Sequence, residues 1–446
     1  EQHAPTKIRQ VFYQVDERER LESVARLLAQ LPAVQAMSKA LRARAEKLGL
    51  DFRDDGAVVV IGLGKGKERL GIVAHGDVQP ADPSKWKQSP FSLDSTSKPG
   101  LLIGRGTQDD KGPIAAALYA MKAIADRKVP LAKRIELIVS YTEESDWQPF
   151  QDWLAKHKPP QTNLVVDADY PVVIAEKGWC SIHLKVPRVD LPTPDRPHIS
   201  SFVGGSFLSQ VPEDATAIIE MADEDLQGRL QDRANRYPAV HFSFALNAET
   251  HQLTIRAKGI SAHASTPEAG KNAIAHLAAL LATRSWPDTQ AARMVTLLDE
   301  LVGVGLYGEK FGSLSYSHPF MGKLTLVLST LEAKDGTLTA GINFRRPAGR
   351  TAAEVKKSAE DAVVGWNTKH PGVNVTAATN VFDPYLAADA PQVPTLLGVY
   401  EHYTRKRGVQ PISIGGGTHA RLLPRGVSFG PSMPGEVYTG HSEHEF

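Results

Sequence analysis

Three apolar segments of this chain each end in acidic residues or a histidine, and helical segments separate them. They are RLGIVAHGD at 69–77, RIELIVSYTEES at 134–145 and NLVVDAD at 163–169. Such aliphatic runs are typical of buried strands, and PIAAALYAMKAIADR at 113–127 has the apolar spacing of a helix. Alternating strands and helices favour a parallel sheet whose polar strand ends meet at one edge. The sequence therefore predicts an α/β fold with a mixed, largely parallel sheet, helices on both faces and a polar site.

The chain changes character in its middle third, which bears on domain organisation. A length of 446 residues favours about two or three domains. From 181 to 381, short strand-like runs such as AVHFSFAL alternate with helices such as KNAIAHLAALLATR. We expect a discontinuous catalytic domain, 1–180 with 382–446, and an inserted α+β lid domain, 181–381. Within the first domain, AVVVIGLG at 57–64 and RLGIVAHGD are predicted to form a hairpin.

Composition excludes several classes of function. Lys and Arg total 51 against 50 Asp and Glu, without a basic stripe, so neither nucleic acid nor a membrane surface is expected as a partner. Cys180 is the only cysteine, which excludes an internal disulfide or a thiolate metal cluster, and its apolar context predicts a core residue. No signal peptide is visible, which would suit a cytoplasmic protein, but the polar start EQHAPT is also typical of a periplasmic or secreted protein whose signal peptide was removed before Glu1.

Each polar strand end also has an explanation that needs no ligand. His75 and Asp77 share one face of a strand, so the carboxylate could orient a metal-binding imidazole, but a solvated strand end looks the same. Asp109 and Asp110 could simply cap a helix. Several carboxylates at one edge would nevertheless repel each other, and a cation relieves that cost. Imidazole and carboxylate ligands suit a catalytic zinc or manganese site.

The ordered set of motifs resembles the dinuclear zinc metallopeptidase family of carnosinase, dipeptidase V and glutamate carboxypeptidase. The motifs are VAHGDVQP, GRGTQDDKGP, TEES, VDADYPVVIAEKG, KGISAHASTPEAGKNA, NFRRP, GGGTHAR and TGHSEHE. Two of them, DADYP…AEKG and SAHAS…AGKNA, are most similar to the dipeptidase V branch. The resemblance implies a zinc-peptidase-like fold with an enlarged lid, and two divalent metal ions, zinc first with manganese or cobalt as alternatives.

The resemblance also implies the metal ligands. The bridging ligand would be Asp109, with the bond to Asp110 in cis. One ion would take His75 and Asp167 in addition, and the other Glu144 and His441. Asp167 is preferred to Asp169 because it matches the first acid of the family pattern D-A-[DE]-[FY]-P, and His444 stays open as an alternative to His441.

The catalytic residues follow from the same resemblance. Glu143 would be the general base towards a metal-activated water, while Asp77 would orient His75. His263, in SAHAS of the lid, would donate a hydrogen bond to the tetrahedral oxyanion. An ordinary loop histidine at 263 is the alternative from the sequence alone.

The substrate-binding residues are implied at two further motifs. Arg345 would bind the terminal carboxylate, and since Arg346 faces the opposite side of a strand only one of the two can serve. Gly416 and Gly417 would allow the substrate to approach the backbone closely. The segment SQVP at 209–212 departs from the dipeptidase V pattern N-M-V-P, which puts an asparagine contact of that branch in doubt.

We therefore expect a metal-dependent dipeptidase that hydrolyses unblocked dipeptides. A carboxypeptidase or N-acyl amino-acid deacylase of the same family is the alternative, and a non-catalytic metal- or peptide-binding protein is a third. The expected partner is a small peptide substrate. The enlarged lid favours a monomer, and a homodimer stays open.

Overall fold

The computed structural model describes residues 34–81, 83–188, 194–387, 389–436, 438–441 and 445–446. They form two compact units. The first comprises Glu1–Glu176 and Tyr385–Phe446, so far as these are described, and the second comprises Lys177–Pro384. That the first is the catalytic domain and the second a lid stays a prediction.

The helices and strands of the described residues are numbered here in chain order. The helices are α1 (Val34–Leu48), α2 (Gly112–Asp126), α3 (Gln148–Lys156), α4 (Glu224–Ala234), α5 (Ala273–Leu281), α6 (Gln290–Leu297), α7 (Ala352–Lys369) and α8 (Val393–Thr404). The strands are β1 (Asp51–Asp54), β2 (Val58–Leu63), β3 (Arg69–His75), β4 (Arg134–Ser140), β5 (Thr162–Val165), β6 (Ala168–Asp169), β7 (Val173–Glu176), β8 (Gly178–Val186), β9 (His198–Gly204), β10 (Gln210–Val211), β11 (Asp214–Glu220), β12 (His241–Asn247), β13 (Gln252–Lys258), β14 (Ala262–His263), β15 (Ser317–His318), β16 (Gly322–Lys323), β17 (Thr325–Lys334), β18 (Thr337–Arg346), β19 (Thr376–Val381), β20 (Tyr385–Leu386), β21 (Ile412–Ile414), β22 (Gly426–Ser428) and β23 (Pro431–Ser432).

The first unit is built on a mixed sheet in the order β1-β2-β4-β3-β5-β22-β7-β20, with β21 beside β7. The central strands β4, β3, β5 and β22 pair in parallel. The pairs β1–β2, β2–β4, β22–β7 and β20–β7 are antiparallel. The predicted mixed α/β fold is thus confirmed, with the parallel pairings concentrated at the centre of the sheet.

The predicted hairpin between β2 and β3 is wrong, because β4 lies between them. β4 pairs antiparallel with β2 and parallel with β3. All its residues after Arg134 are buried. A strand that is buried on both faces belongs inside a sheet, whereas a hairpin would have left β4 outside the β2–β3 pair.

Helices cover both faces of this sheet, as predicted. α1 and α2 pack against one face, which includes Leu137 and Val139 of β4. Phe150 of α3 packs on the opposite face with Val60 and Ile138. Neighbouring residues of β4 therefore belong to different cores, which fixes the register of the strand that leads into TEES.

The second unit is an α+β arrangement around an antiparallel sheet in the order β12-β13-β11-β9-β17-β18-β8-β19. Helices α4 to α7 contribute to its apolar core. Cys180 on β8 has no exposed surface, so its prediction as a core residue is confirmed. Among the described helices, none has both the length and the apolar character needed to cross a membrane.

Leu137→Ala should test the core that holds β4. Leu137 is fully buried, and truncating such a residue costs about 2–5 kcal/mol of unfolding free energy. The matched control is Leu386→Ala, since Leu386 is 51% exposed and should change stability by no more than about 0.5 kcal/mol. Urea unfolding followed by circular dichroism measures both, and equal effects would contradict the assigned packing.

Candidate metal centre

Polar residues from three neighbouring parallel strands meet at one edge of the first sheet. His75 is the last residue of β3, and Glu143 and Glu144 follow the end of β4. Asp167 follows β5, which pairs with β3 on its other side. The convergence that the strand-end pattern predicted is therefore present.

Asp109 lies in the irregular turn Thr107–Lys111 directly before α2, and the Asp109–Asp110 bond is cis, as the resemblance implied. Its Oδ1 is 2.8 Å from Nε2 of His75, and its Oδ2 is 3.1 Å from Nε2 of His441. The carboxylate thus presents one oxygen to each imidazole. This is the arrangement that a ligand shared by two cations requires.

Further carboxylates accompany each imidazole. Asp167 Oδ1 is 3.7 Å from Nε2 of His75, and Glu144 Oε1 is 2.9 Å from Nε2 of His441. Two groups offer ligand atoms that all lie within 4.8 Å of one another, namely His75 with Asp110 and Asp167, and His75 with Asp109 and Glu144. The described residues therefore include a donor set that could hold metal ions.

Asp110 is not among the predicted ligands, because the resemblance implies only Asp109 of these two adjacent acids. It is fully buried, and its Oδ2 accepts a 3.1 Å hydrogen bond from the backbone N–H of His75. Its Oδ1 has no hydrogen-bond partner. An unsatisfied buried oxygen beside His75 and Asp167 makes Asp110 a further candidate ligand.

The crowding has the predicted electrostatic cost. Burial, together with the charge of Asp167, raises the pKa of Glu143 and of Asp110 well above the usual range. Burial likewise raises the pKa of Asp167 to about 7. Burial alone would lower the pKa of His75, but the surrounding carboxylates raise it well above its ordinary value. The site as it stands binds protons tightly, and a cation would compete with them.

Asp77 connects the strand ends to each other. Its Oδ1 and Oδ2 accept hydrogen bonds from the backbone N–H groups of Glu143 and Glu144, at 3.1 and 3.0 Å. Its Oδ1 is also 3.4 Å from Nδ1 of His75. Burial alone would raise the pKa of Asp77, but the hydrogen bonds from His75 and the two backbone amides lower it. Asp77 is placed to orient His75 and both glutamates, although its role in catalysis stays a prediction.

The two neighbouring glutamates have different surroundings. Glu144 Oε1 contacts His441, and Oε2 accepts a 2.9 Å hydrogen bond from Nε2 of Gln79. Glu143 Oε1 is buried and has no hydrogen-bond partner. Sequence reasoning did not single out Gln79, because a glutamine after a strand carries no metal-site signal by itself.

The C-terminal segment brings two residues to Asp109. Besides His441, Tyr438 donates a 2.6 Å hydrogen bond from its hydroxyl to Asp109 Oδ2. Sequence reasoning missed this tyrosine, which no motif spacing marks. The alternative ligand His444 lies outside the described residues.

Gly416 and Gly417 lie in the loop after β21, and Glu176 at the end of β7 fixes this loop. Glu176 accepts hydrogen bonds from the backbone N–H and hydroxyl of Thr418, at 3.1 and 2.6 Å, and from Nε of Arg421 at 2.9 Å. A Cβ atom at either glycine would meet no atom closer than 3.6 Å. Internal packing therefore does not require these glycines, and their role in substrate binding stays a prediction.

His263 lies in the second unit on β14, which pairs antiparallel with β10 so that His263 opposes Gln210. Its Nδ1 is 2.5 Å from the hydroxyl of Ser265. Gln210 belongs to the departing segment SQVP and donates to the hydroxyl of Ser261 at 2.6 Å. The difference from the dipeptidase V pattern at SQVP thus lies in β10, the strand that pairs with the one carrying His263. The role of His263 at the oxyanion stays a prediction.

Arg345 and Arg346 differ in their contacts within the second unit. Arg345 is 4% exposed and donates from Nε to Oδ1 of Asn343 at 3.0 Å. The guanidinium of Arg346 is held by groups of its own unit: the carbonyl oxygens of Phe382 and Arg350 and the carboxylate of Asp383. These bonds give Arg346 a structural function and favour Arg345 as the candidate substrate ligand.

Known proteins resemble this chain in sequence and in fold. A profile of "Peptidase family M20/M25/M40" matches residues 71–446. The chain is 31% identical over 416 residues to "Putative dipeptidase YtjP" of Bacillus subtilis, covering 93% of this chain and 86% of that protein. It is 29% identical over 389 residues to "Beta-Ala-Xaa dipeptidase" of Lactobacillus delbrueckii subsp. lactis, covering 86% and 79%. In structure, human carnosine dipeptidase 1 matches with a TM-score of 0.56 at 16% identity over 98% of this chain and 94% of that one.

His419 is a buried imidazole beside the site that contributes no ligand to either candidate group. It stacks on Phe150 with ring centroids 4.2 Å apart, and Trp147 meets it edge-on at 5.3 Å. Its Nδ1 is 3.3 Å from the hydroxyl of Ser140. Burial lowers the pKa of His419 to about 3, so the ring is neutral in the folded chain.

This neutral histidine should make stability depend on pH. The unfolded imidazole binds a proton below its ordinary pKa of 6.5 and the folded one only near 3, so acidification favours the unfolded state in that window. Between pH 7 and 5 the wild type should lose about 2 kcal/mol more unfolding free energy than His419→Phe, which keeps an aromatic ring. Urea unfolding at both pH values measures this, and an equal loss in the two proteins would contradict the buried neutral state.

Proposed function

Because the chain belongs to peptidase family M20/M25/M40, we propose that it is a metal-dependent dipeptidase acting on unblocked dipeptides. The observation that carries the proposal is the position of the Asp109 carboxylate between His75 and His441, with Asp167 and Glu144 beside them. The name of the Lactobacillus relative supports the substrate class.

The proposed ligands fit two divalent cations. Asp109 would be shared, His75 and Asp167 would hold one ion, and Glu144 and His441 the other. Imidazole nitrogens with carboxylate oxygens suit zinc, with manganese or cobalt as alternatives. When bound, such a pair of ions lowers the pKa of a water and polarises the peptide carbonyl.

Glu143 is the proposed general base. Its buried Oε1 has no hydrogen-bond partner, and burial with the charge of Asp167 raises its pKa well above the usual range. A carboxylate with a raised pKa can accept a proton from the attacking water and deliver it to the leaving amine. Glu144 cannot share this task, because both its oxygens are engaged by His441 and Gln79.

The substrate is proposed to be bound at its terminal carboxylate and at its scissile carbonyl. Arg345 binds the terminal carboxylate, for which a guanidinium is suited. Gly416 and Gly417 have no side chains, so the carboxylate end of the substrate can approach their backbone closely. His263 donates a hydrogen bond to the developing oxyanion.

Glu143→Gln should separate chemistry from metal binding. We expect kcat to fall by about 10²–10⁴-fold, since the amide cannot accept the proton. Metal content, measured by elemental analysis, should equal that of the wild type, because Glu143 is not a proposed ligand. Asp146→Asn, at an exposed acid three residues on, is the control and should leave kcat unchanged. Loss of the metal together with activity would contradict the assigned role.

A substrate panel tests the proposed function. Metal-stripped protein reloaded with zinc or manganese should cleave free dipeptides faster than N-acylated amino acids, and the reverse preference would favour a deacylase.

Arg345→Met should raise KM for free dipeptides by about 10–100-fold, from the loss of a charged hydrogen bond. Dipeptides with an amidated C-terminus should show no such difference between the two proteins. An unchanged KM for free dipeptides would remove Arg345 from the proposed site.

A further inference from the structure

Glu445 binds the backbone of the turn that carries Asp109. Its side chain is completely buried, and Oε1 accepts hydrogen bonds from the backbone N–H groups of Gln108 and Asp109, at 3.1 and 3.0 Å. Its Oε2 is paired with Nη1 of Arg105 at 2.8 Å, and its carbonyl oxygen accepts from the N–H of Gly104 at 3.0 Å. One glutamate thus binds two residues of the turn before α2 and two residues that lead into it.

Gln108 makes the reciprocal contacts. Its Oε1 accepts from the backbone N–H of Thr439 at 2.7 Å, from the hydroxyl of Thr439 at 2.8 Å and from the N–H of Gly440 at 3.1 Å. These residues directly precede His441, whose φ of +64° lies in a region that residues other than glycine adopt rarely. Gln108 therefore fixes the backbone that turns His441 towards Asp109.

Together these bonds form a two-way connection, here called the clasp, made by the side chains of Gln108 and Glu445. Glu445 comes from the C-terminal segment and holds the backbone of Asp109. Gln108 comes from the Asp109 turn and holds the residues before His441. The clasp therefore fixes His441, a proposed ligand of one ion only, relative to Asp109, the proposed shared ligand.

We propose that the clasp positions His441 against Asp109. Because Asp109 would be shared by both ions and His441 would bind only one, the Gln108 half of the clasp sets the affinity of the ion bound by Glu144 and His441 separately from that of the other. The inference rests on the proposed metal centre. His75 and Asp167 extend from β3 and β5, and neither makes a hydrogen bond to Gln108 or Glu445. Residues that orient metal ligands typically change affinity by about 10–100-fold when they are replaced.

The test is a titration of metal-free protein with Zn²⁺ in competition with a chelator, which gives two dissociation constants. Gln108→Met keeps the side-chain length but removes the accepting oxygen. We expect one dissociation constant to rise by about tenfold or more, and the other to stay unchanged. The affected binding step should be the one that His441→Ala abolishes.

Two matched sets of variants distinguish positioning from a loss of stability. Gln290→Met, in the second unit, removes two bonds from a glutamine Nε2 to the carbonyl oxygens of Val186 and Gly336, and it should change neither constant. Thr439→Ser keeps the hydroxyl and should bind both ions as the wild type does, whereas Thr439→Val should weaken the same step as Gln108→Met. This pair carries the test if Gln108→Met does not fold.

The outcomes separate the clasp from the proposed function. If the wild type binds two ions and Gln108→Met weakens both equally or neither, the clasp is not a selective positioning device. If the wild type binds fewer than two ions, the proposed metal centre is wrong, and the inference falls with it. Selective weakening of the His441 step, with wild-type behaviour in Thr439→Ser and Gln290→Met, supports the clasp.

Discussion

The site depends on one carboxylate placed between two imidazoles. One oxygen of Asp109 lies against His75 and the other against His441. Asp167 lies near His75, and Glu144 lies near His441. Burying so many acids together is unfavourable unless protons or cations neutralise them, which is why the pKa of Asp167 rises to about 7. The same crowding of buried carboxylates therefore makes this edge of the sheet costly to fold and gives it the capacity to bind metal.

Hydrogen bonds to backbone amides hold several of the proposed site residues in place. The carboxylate of Asp77 accepts hydrogen bonds from the backbone N–H groups of Glu143 and Glu144. The carboxylate of Glu445 accepts one from the backbone N–H of Asp109. A carboxylate that accepts a hydrogen bond from a backbone amide fixes the position of that part of the loop. The side chain of the residue that donates the bond stays available to bind a metal ion. At TEES, both side-chain oxygens of Glu144 are engaged by His441 and Gln79, whereas Oε1 of Glu143 has no hydrogen-bond partner, which supports the proposed division between ligand and base.

Much of this could be read from the sequence, because the information is local. A strand that ends in HGD, TEE or DAD specifies which residues stand at the sheet edge, and the fixed period of a strand specifies which share a face. The mixed α/β fold and the family followed from the same motifs. The hairpin prediction was wrong because strand order depends on pairings between segments far apart in the chain, and β4 takes the place between β2 and β3.

The sequence by itself determined the residue types at the strand ends, the family and the ligand candidates. Only the tertiary structure decided how Asp109 divides its oxygens between His75 and His441, and that Asp110, Gln79 and Tyr438 belong to the site. It also decided that Gln108 and Glu445 connect segments more than 300 residues apart in the chain. Such bonds leave no periodic signal, because a single acceptor and a distant amide meet only once the sheet has brought their loops together.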